Sequence, residues 1–298
     1  MAERIKRLRR RSRSVAKLLE RRSLPYRVAL TRRLREPGVL PDFLIIGAMK
    51  SGTSTLFAML CQHPGVLRPV TKELQYFSNP RNYRRGELWY RGCFPPPSVV
   101  EASERALGYR PLTGEATPAM SLPEYAERAA RLLPEARLVV TLRNPVDRAY
   151  SHYQHMALAA IPDRRAFEHA LEQEVALLEQ GLQVTHDSPR SLRRRLHNYG
   201  YLNRGHYVEH LSNWLRHYPR ERVLILNFDA WKSDARVAAA RVAGFLGLPA
   251  HDYEAIRANE GAYRKPMAAA TRDWLTEYYR PYNRRLFEML GEDWGWPC

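Results

Sequence analysis

Cysteine, long apolar runs and acidic residues are all scarce in this sequence, and each shortage narrows the class of protein. The three cysteines, Cys61, Cys93 and Cys298, form no C-x-x-C pair, which argues against a zinc site and a disulfide framework. No stretch approaches the roughly 18 to 20 apolar residues of a membrane span, and the first residues lack the apolar centre of a signal peptide. We therefore expect a protein of a reducing compartment, in the cytoplasm.

The shortage of acidic residues is concentrated at the start of the chain. The sequence carries 48 Lys and Arg against 31 Asp and Glu, a formal charge of +17, and residues 1–36 hold +11 of that charge. Such a basic arm is typical either of a solvated, frayed helix or of a segment that binds anionic lipid headgroups or another polyanion. The second alternative would place the protein at the inner membrane face. No nucleic-acid recognition motif accompanies the arm, so we expect no specific nucleic-acid partner.

The remaining residues, 37–298, are expected to form one α/β domain. Short apolar runs predict buried strands at Phe43 to Ile46, Arg137 to Leu142 and Arg222 to Phe228, because strands covered on both faces are apolar throughout. Helical patterns cover 164–182, 207–218, 235–246 and 268–290. This alternation predicts a parallel sheet flanked by helices.

The first predicted strand leads into a candidate phosphate loop. Gly47 ends the strand, and a lysine, a glycine and hydroxyl residues precede the apolar pattern of a helix. The loop residues are Lys50, Ser51, Gly52, Thr53, Ser54 and Thr55. Backbone amides at a helix N-terminus and the helix dipole both favour an anion, so a phosphate-like group is expected there. The alternative is a glycine-containing turn without a ligand.

A second candidate anion site follows the second predicted strand. Arg143 directly follows that strand, and Asn144 and Pro145 suit the N-cap and first position of a helix that carries Ser151 about two turns later. Ligands in open parallel sheets bind at the carboxyl ends of strands. The other interpretation of Arg143 is an ion pair with Asp147 or Asp163.

These two motifs, in this order, resemble the cofactor-binding pair of the sulfotransferases that use 3′-phosphoadenosine 5′-phosphosulfate (PAPS). Lysine precedes the glycine here, whereas in the loop of nucleotide triphosphatases it follows the second glycine. Further segments resemble the heparan sulfate branch of that superfamily: Lys72-Glu73 with Phe77, Glu115 to Pro118, Gly205 to Tyr207 and Trp294 to Trp296. The resemblance covers about residues 41–297, and it implies a three-layer fold like that of P-loop proteins.

The resemblance also implies roles for individual residues. Lys50 to Thr55 would bind the 5′-phosphosulfate, and Arg143 and Ser151 the 3′-phosphate. Glu73 would remove the proton of the acceptor while Lys50 neutralises the departing phosphate oxygen. Arg264 and Lys265 lie where the family has a late cofactor loop, in a shifted register. The expected reaction moves a sulfuryl group from PAPS to a hydroxyl, or as second choice an amine, of a carbohydrate-containing acceptor by in-line attack, without a metal.

Three departures from the branch concern the acceptor side. Gln75, Ser78 and Ala116 stand where the branch often has histidine, aspartate and lysine, so heparan sulfate itself is not the expected acceptor.

Other functions stay open at this point. A nucleotide-dependent kinase with an atypical phosphate loop would need an acid that holds magnesium. A polyanion- or membrane-binding protein would act through its basic arm. The histidine pairs His152/His155 and His206/His210 lack a third metal ligand and favour core or surface histidines, with acceptor contact as an alternative for His155.

Overall fold

The computed structural model describes residues 36–157, 159, 163–181, 188, 192, 199–256 and 266–298. Within these ranges the chain forms a five-stranded sheet with helices on both faces. The strands are β1 (Phe43–Gly47), β2 (Val66–Leu67), β3 (Leu112–Glu115), β4 (Arg137–Leu142) and β5 (Val223–Asn227). The described α-helices are α1 (Thr53–Leu60), α2 (Pro80–Tyr83), α3 (Glu87–Arg91), α4 (Pro97–Leu107), α5 (Pro123–Leu132), α6 (Pro145–Met156), α7 (Phe167–Glu179), α8 (Tyr207–Leu215), α9 (Phe228–Trp231), α10 (Ala235–Leu246) and α11 (Ala269–Leu290).

All described strand pairs are parallel, in the order β2-β3-β1-β4-β5. Phe43 of β1 pairs with Gly114 of β3 on one side and with Arg137 of β4 on the other. The carboxyl ends of β1, β3 and β4 therefore lie side by side. Residues that follow these three strands are brought to one edge of the sheet, where parallel α/β proteins bind their ligands.

The strands alternate their side chains between two apolar cores. Leu44, Ile46 and Val140 face one core, which includes α5, α8 and the end of α11. Phe43 and Ile45 face the other, which α1 and α10 cover. Apolar residues on both faces explain why β1 and β4 are apolar throughout, and the expected three-layer α/β fold is confirmed.

The predicted elements match the described ones in type. The strand at 137–142 and the helix at 235–246 have the predicted bounds, and the predicted helices 164–182 and 207–218 are shorter, as α7 and α8. Helix α5, the short helix α9 and the two-residue strand β2 were not predicted, and Phe228, predicted as the end of a strand, begins α9. The basic arm, apart from Glu36, lies outside the described residues, so its helical state stays a prediction.

Candidate active site

The candidate phosphate loop connects β1 to α1 through two left-handed residues. Lys50 has φ 73° and Gly52 has φ 77°, which turns the chain sharply into the helix. Gly52 is the N-cap of α1, no side chain caps this N-terminus, and its first turn holds no acidic residue. Ser51 and Thr53 are buried, whereas Ser54 is exposed. The start of α1 thus has the amides and dipole that attract an anion and no carboxylate to oppose one.

Gly52 is required by its surroundings as well as by its backbone. A β-carbon at this position would lie 2.5 Å from Cη2 of Trp231 and 2.7 Å from Cε2 of Phe228. Both rings belong to α9, the short helix that follows β5. The aromatic pair therefore forms a wall against the loop and leaves room for glycine alone.

Arg143 lies next to the same wall. Its guanidinium carbon is 5.5 Å from the centroid of the Phe228 ring, so one aromatic ring contacts both Arg143 and the space beside Gly52. The Arg143 carbonyl accepts a hydrogen bond from the Tyr207 hydroxyl at 2.9 Å. Burial raises the pKa of Tyr207 to about 12, while Arg148, Arg143 and Ser51 act in the opposite direction. Tyr207 thus ties α8 to the backbone that carries Arg143.

The two carboxylates suggested as partners of Arg143 each pair with another arginine. Asp147 pairs with Arg272 at 2.7 Å, and Asp163 pairs with Arg165 at 2.7 Å.

Helix α6 begins as its sequence predicts. The Asn144 side chain accepts a hydrogen bond from the Val146 amide at 3.0 Å, with Pro145 in the first turn. The Asn144 amide donates to Asp229 Oδ2 at 3.0 Å, which ties the start of α6 to α9. Ser151, two turns later, is 7 % exposed. The cap sets the direction of the helix and hence the place of Ser151 relative to Arg143.

The next residue of α6 shows that this helix lies near the phosphate loop. His152 is fully buried, and its ring contacts the Tyr201 ring edge-on at 4.9 Å. Burial holds the pKa of His152 well below its usual value, and the charges of Arg204, Arg148 and Lys50 lower it further. Because His152 stays neutral, the positive charge near this part of α6 comes from lysine and arginine side chains.

The candidate base lies beside the end of β3. Glu73 Oε1 is 2.8 Å from Lys72 Nζ, and each side chain is 22 % exposed. Lys72 Nζ also donates to the Ala116 carbonyl at 3.3 Å, and the Ala116 amide donates to the Lys72 carbonyl at 3.0 Å. This segment therefore runs along the residues that follow β3, at the sheet edge where Lys50 and Arg143 also lie. A carboxylate so close to an ammonium can stay ionised and accept a proton.

Two predicted donor-site residues, Arg264 and Lys265, lie outside the described residues, and their roles stay predictions. His206 stacks on Tyr282 with ring centroids 4.0 Å apart, and His210 bonds the Asn203 carbonyl at 2.7 Å. His206 is buried and His210 is half-buried, and both are held by contacts within the protein. In the described ranges, no group of three or more His, Cys, Asp or Glu side chains is placed to hold a metal ion.

Sequence reasoning missed the residues that support the site from a distance. Phe228 and Trp231 form the wall against the loop, and Phe228 also lies beneath Arg143. Nothing local marks them, because both reach the loop from α9, which is far from it in the sequence. Phe228 was noticed only as the end of a strand.

The fold and this edge define an α/β protein with a tight strand-to-helix loop after β1 and an arginine directly after the neighbouring strand β4. The sulfotransferase domain family matches residues 40–271, so the chain belongs to the sulfotransferase family, and the expected enzyme class is confirmed.

Relatives and a solved structure agree with this family. The human bifunctional heparan sulfate N-deacetylase/N-sulfotransferase 3 is 30% identical over 287 residues, which cover 84% of this chain and 30% of that protein. Mouse heparan sulfate glucosamine 3-O-sulfotransferase 6 is 29% identical over 301 residues, 89% of this chain and 79% of that protein. The chain thus spans about 30% of the length of the bifunctional relatives. A sulfotransferase structure from Alicyclobacillus acidocaldarius has the same fold, with a TM-score of 0.62, 24% identity and coverage of 86% of this chain and 97% of that one.

Proposed function

We propose that this sulfotransferase uses PAPS as donor and a carbohydrate-containing molecule as acceptor, and releases adenosine 3′,5′-bisphosphate. The observation that carries the proposal is the shared aromatic wall, since Phe228 lies both beside Gly52 at the start of α1 and beneath Arg143 at the end of β4. The loop and Arg143 thus lie against the same ring, and this arrangement suits a ligand that carries one phosphate group for each of them.

The loop fits the 5′-phosphosulfate end of the donor. Lys50 supplies an ammonium, Ser51 to Thr55 supply amides and hydroxyls, and the first turn of α1 holds no acid. Arg143 would hold the 3′-phosphate, because a guanidinium donates paired, charge-assisted hydrogen bonds to phosphate oxygens. The Ser151 hydroxyl would add one more donor.

Chemistry on this site is mainly alignment and electrostatics. The donor supplies an activated sulfuryl group, and Glu73 takes the proton of the acceptor hydroxyl, or of an amine, as its oxygen or nitrogen attacks sulfur in line. Lys50 stabilises the negative charge that grows on the departing phosphate oxygen. Lys72, 2.8 Å from Glu73, keeps the base ionised and oriented.

The names of the relatives support a carbohydrate acceptor, since both sulfate heparan sulfate. Ala116 is fully buried and carries no side-chain cation, and Gln75 and Ser78 also depart from the pattern of that branch. We therefore propose a sugar-containing acceptor other than heparan sulfate.

Binding of the donor product tests the proposal first. Isothermal calorimetry would compare adenosine 3′,5′-bisphosphate without magnesium with ATP plus magnesium. Loss of charged hydrogen bonds in Arg143→Ala should weaken the bisphosphate by about 10- to 100-fold and adenosine 5′-phosphate much less. Arg131→Ala is the matched control, because it removes an exposed arginine that pairs with Glu127 at 2.8 Å within α5. Preference for ATP would favour the kinase, and equal losses for both nucleotides would refute the role of Arg143.

Turnover tests the base. Glu73→Gln should leave bisphosphate affinity intact and reduce sulfuryl transfer by about 10²- to 10⁴-fold, the usual contribution of a general base. Glu87→Gln, an exposed glutamate 3.8 Å from Arg91, is the control. Unchanged transfer in Glu73→Gln would remove it from this role.

The basic arm is a separate part of the proposal. We propose that residues 1–36 bring the enzyme to an anionic surface without taking part in transfer. Deletion of the arm should leave turnover on a free sugar acceptor unchanged and reduce binding to vesicles that contain phosphatidylserine. Loss of turnover would contradict this division. In the ranges that the structure describes, every helix is too short or too polar to cross a bilayer.

A further inference from the structure

A buried carboxylate lies directly behind the segment that carries Glu73. Glu115, the last residue of β3, has no exposed surface. Its Oε2 accepts hydrogen bonds from the Leu74 amide at 3.1 Å and from Thr117 Oγ1 at 2.6 Å, and its Oε1 accepts one from the Tyr90 hydroxyl at 2.8 Å. One amide and two hydroxyls thus converge on a carboxylate that no solvent reaches.

The network fixes the backbone on both sides of Glu73. Before it, the Lys72 carbonyl accepts from the Ala116 amide at 3.0 Å. After it, the Leu74 amide donates to Glu115, and the Gln75 amide donates to Thr117 Oγ1 at 3.2 Å. The backbone of residue 75 is left-handed, with φ 51°, so the chain turns away immediately after these bonds. Glu73 itself is the partly exposed residue between two tethered neighbours.

The chemistry of the network suits an acceptor and not a donor at position 115. Both carboxylate oxygens accept hydrogen bonds, and the Leu74 amide can only donate one. Burial raises the pKa of Glu115, while hydrogen bonds from Thr117, Tyr90 and Leu74 oppose that rise. Burying a carboxylate costs free energy unless hydrogen bonds compensate for its lost hydration. Among the donors to Glu115, the one backbone group is the amide that follows Glu73.

We propose that Glu115 is a positioning residue for the general base: through the Leu74 amide and Thr117 it holds the backbone that aims Glu73 at the acceptor. The inference rests on the proposed function, since it takes Glu73 as the base. A displacement of about 1 Å at a reacting group can reduce the rate about a hundredfold, so a tether of this kind has a measurable effect on kcat.

Three variants separate positioning from mere stability. Glu115→Leu removes every acceptor at similar volume and should reduce kcat about a hundredfold, with bisphosphate affinity unchanged. Glu115→Gln keeps an amide oxygen toward Leu74 and Thr117 and turns its NH₂ toward the Tyr90 oxygen, so it should retain most of the turnover. Thr117→Val is nearly isosteric, keeps Glu115, and should show a smaller kcat loss of the same kind.

Tyr218→Phe is the stability control. It deletes a buried hydroxyl that donates to the Leu133 carbonyl at 3.0 Å, outside the Glu115 network, and it should leave kcat unchanged. Hydrogen exchange gives a readout independent of activity, because the Leu74 amide should exchange faster in Glu115→Leu, and the Gln75 amide in Thr117→Val, than in the control.

A double-mutant cycle with Glu73→Gln decides the mechanism. If Glu115 acts through Glu73, adding Glu115→Leu to Glu73→Gln changes kcat little further. The inference would be overturned if the kcat losses of the two changes multiply in the double variant. It would also be overturned if folded variants with a faster-exchanging Leu74 amide keep full turnover. Either result would leave the assignment of Glu73 as the base intact. Full turnover in Glu73→Gln alone would overturn the base assignment and the inference with it.

Discussion

The aromatic wall beside the phosphate loop makes a quantitative prediction for Gly52→Ala. The molecule contains a matched position, because Gly108 at the end of α4 has the same backbone angles, φ 77° and ψ 6°, as Gly52. A β-carbon at Gly108 would meet nothing within 4 Å, whereas at Gly52 it would lie 2.5 Å from Trp231 and 2.7 Å from Phe228. The two alanine variants therefore share the backbone strain and differ in the steric contact.

The expected losses of unfolding free energy follow from these two causes. Alanine in the left-handed region costs about 1–2 kcal/mol at either position. Overpacking against the two rings adds about 1–3 kcal/mol at Gly52 only. We expect Gly108→Ala to lose about 1–2 kcal/mol and Gly52→Ala about 2–5 kcal/mol, against a total stability on the order of 5–15 kcal/mol.

Urea denaturation with linear extrapolation would measure both losses, and calorimetry would measure bisphosphate affinity. Since the Phe228 ring also lies beneath Arg143, Gly52→Ala should weaken the bisphosphate at least about tenfold, the equivalent of one charged hydrogen bond. Gly108→Ala should leave it unchanged. Equal losses of stability would show that the wall does not confine the loop, and unchanged affinity in a folded Gly52→Ala would refute anion binding by the loop.

Two other predictions concern acid stability and the helix cap. Burial lowers the pKa of His210 from 6.5 to about 4, so as the pH falls this histidine takes up a proton in the unfolded chain before it does so in the folded one. The free energy of unfolding should therefore decrease as the pH falls from 6.5 toward 4, by about 3 kcal/mol for this residue. His210→Gln should reduce that loss in urea titrations at pH 7 and pH 4.5, and an identical loss in the variant would contradict it. Asn144→Ala should cost about 1 kcal/mol, and Asn144→Ser, which can still cap, much less. If thermal melts show equal effects of the two changes, the cap is not what holds the start of α6.

The ends of the strands could be predicted from the sequence because their signals lie next to one another in the chain. The run RLVVTL followed by Arg143, Asn144 and Pro145 contains a buried strand, a cap and a first helical residue in sequence, and β4 and α6 have these bounds. The phosphate loop was readable for the same reason, since the glycine and the hydroxyls lie next to one another in the chain.

Contacts between distant segments were not readable. Strand β2 has only two residues and is a strand because β3 lies beside it. Helix α5, in contrast, begins at a proline and buries Tyr125, Ala126 and Ala129 at helical spacing, so its pattern is local and could have been predicted. Glu115 was noted only for its family-like surroundings, because its hydrogen bond to Leu74 joins residues 41 positions apart.

The sheet order places the two halves of the proposed site on different strands. The proposed donor groups follow β1 and β4, whereas the segment with the proposed base is attached beside β3, mostly by hydrogen bonds to residues 115–117. We therefore expect substitutions in the segment from Lys72 to Ser78 to change the acceptor specificity and to leave the nucleotide affinity unchanged. A library of variants restricted to that segment is therefore the natural starting point for redirecting the enzyme to other acceptors.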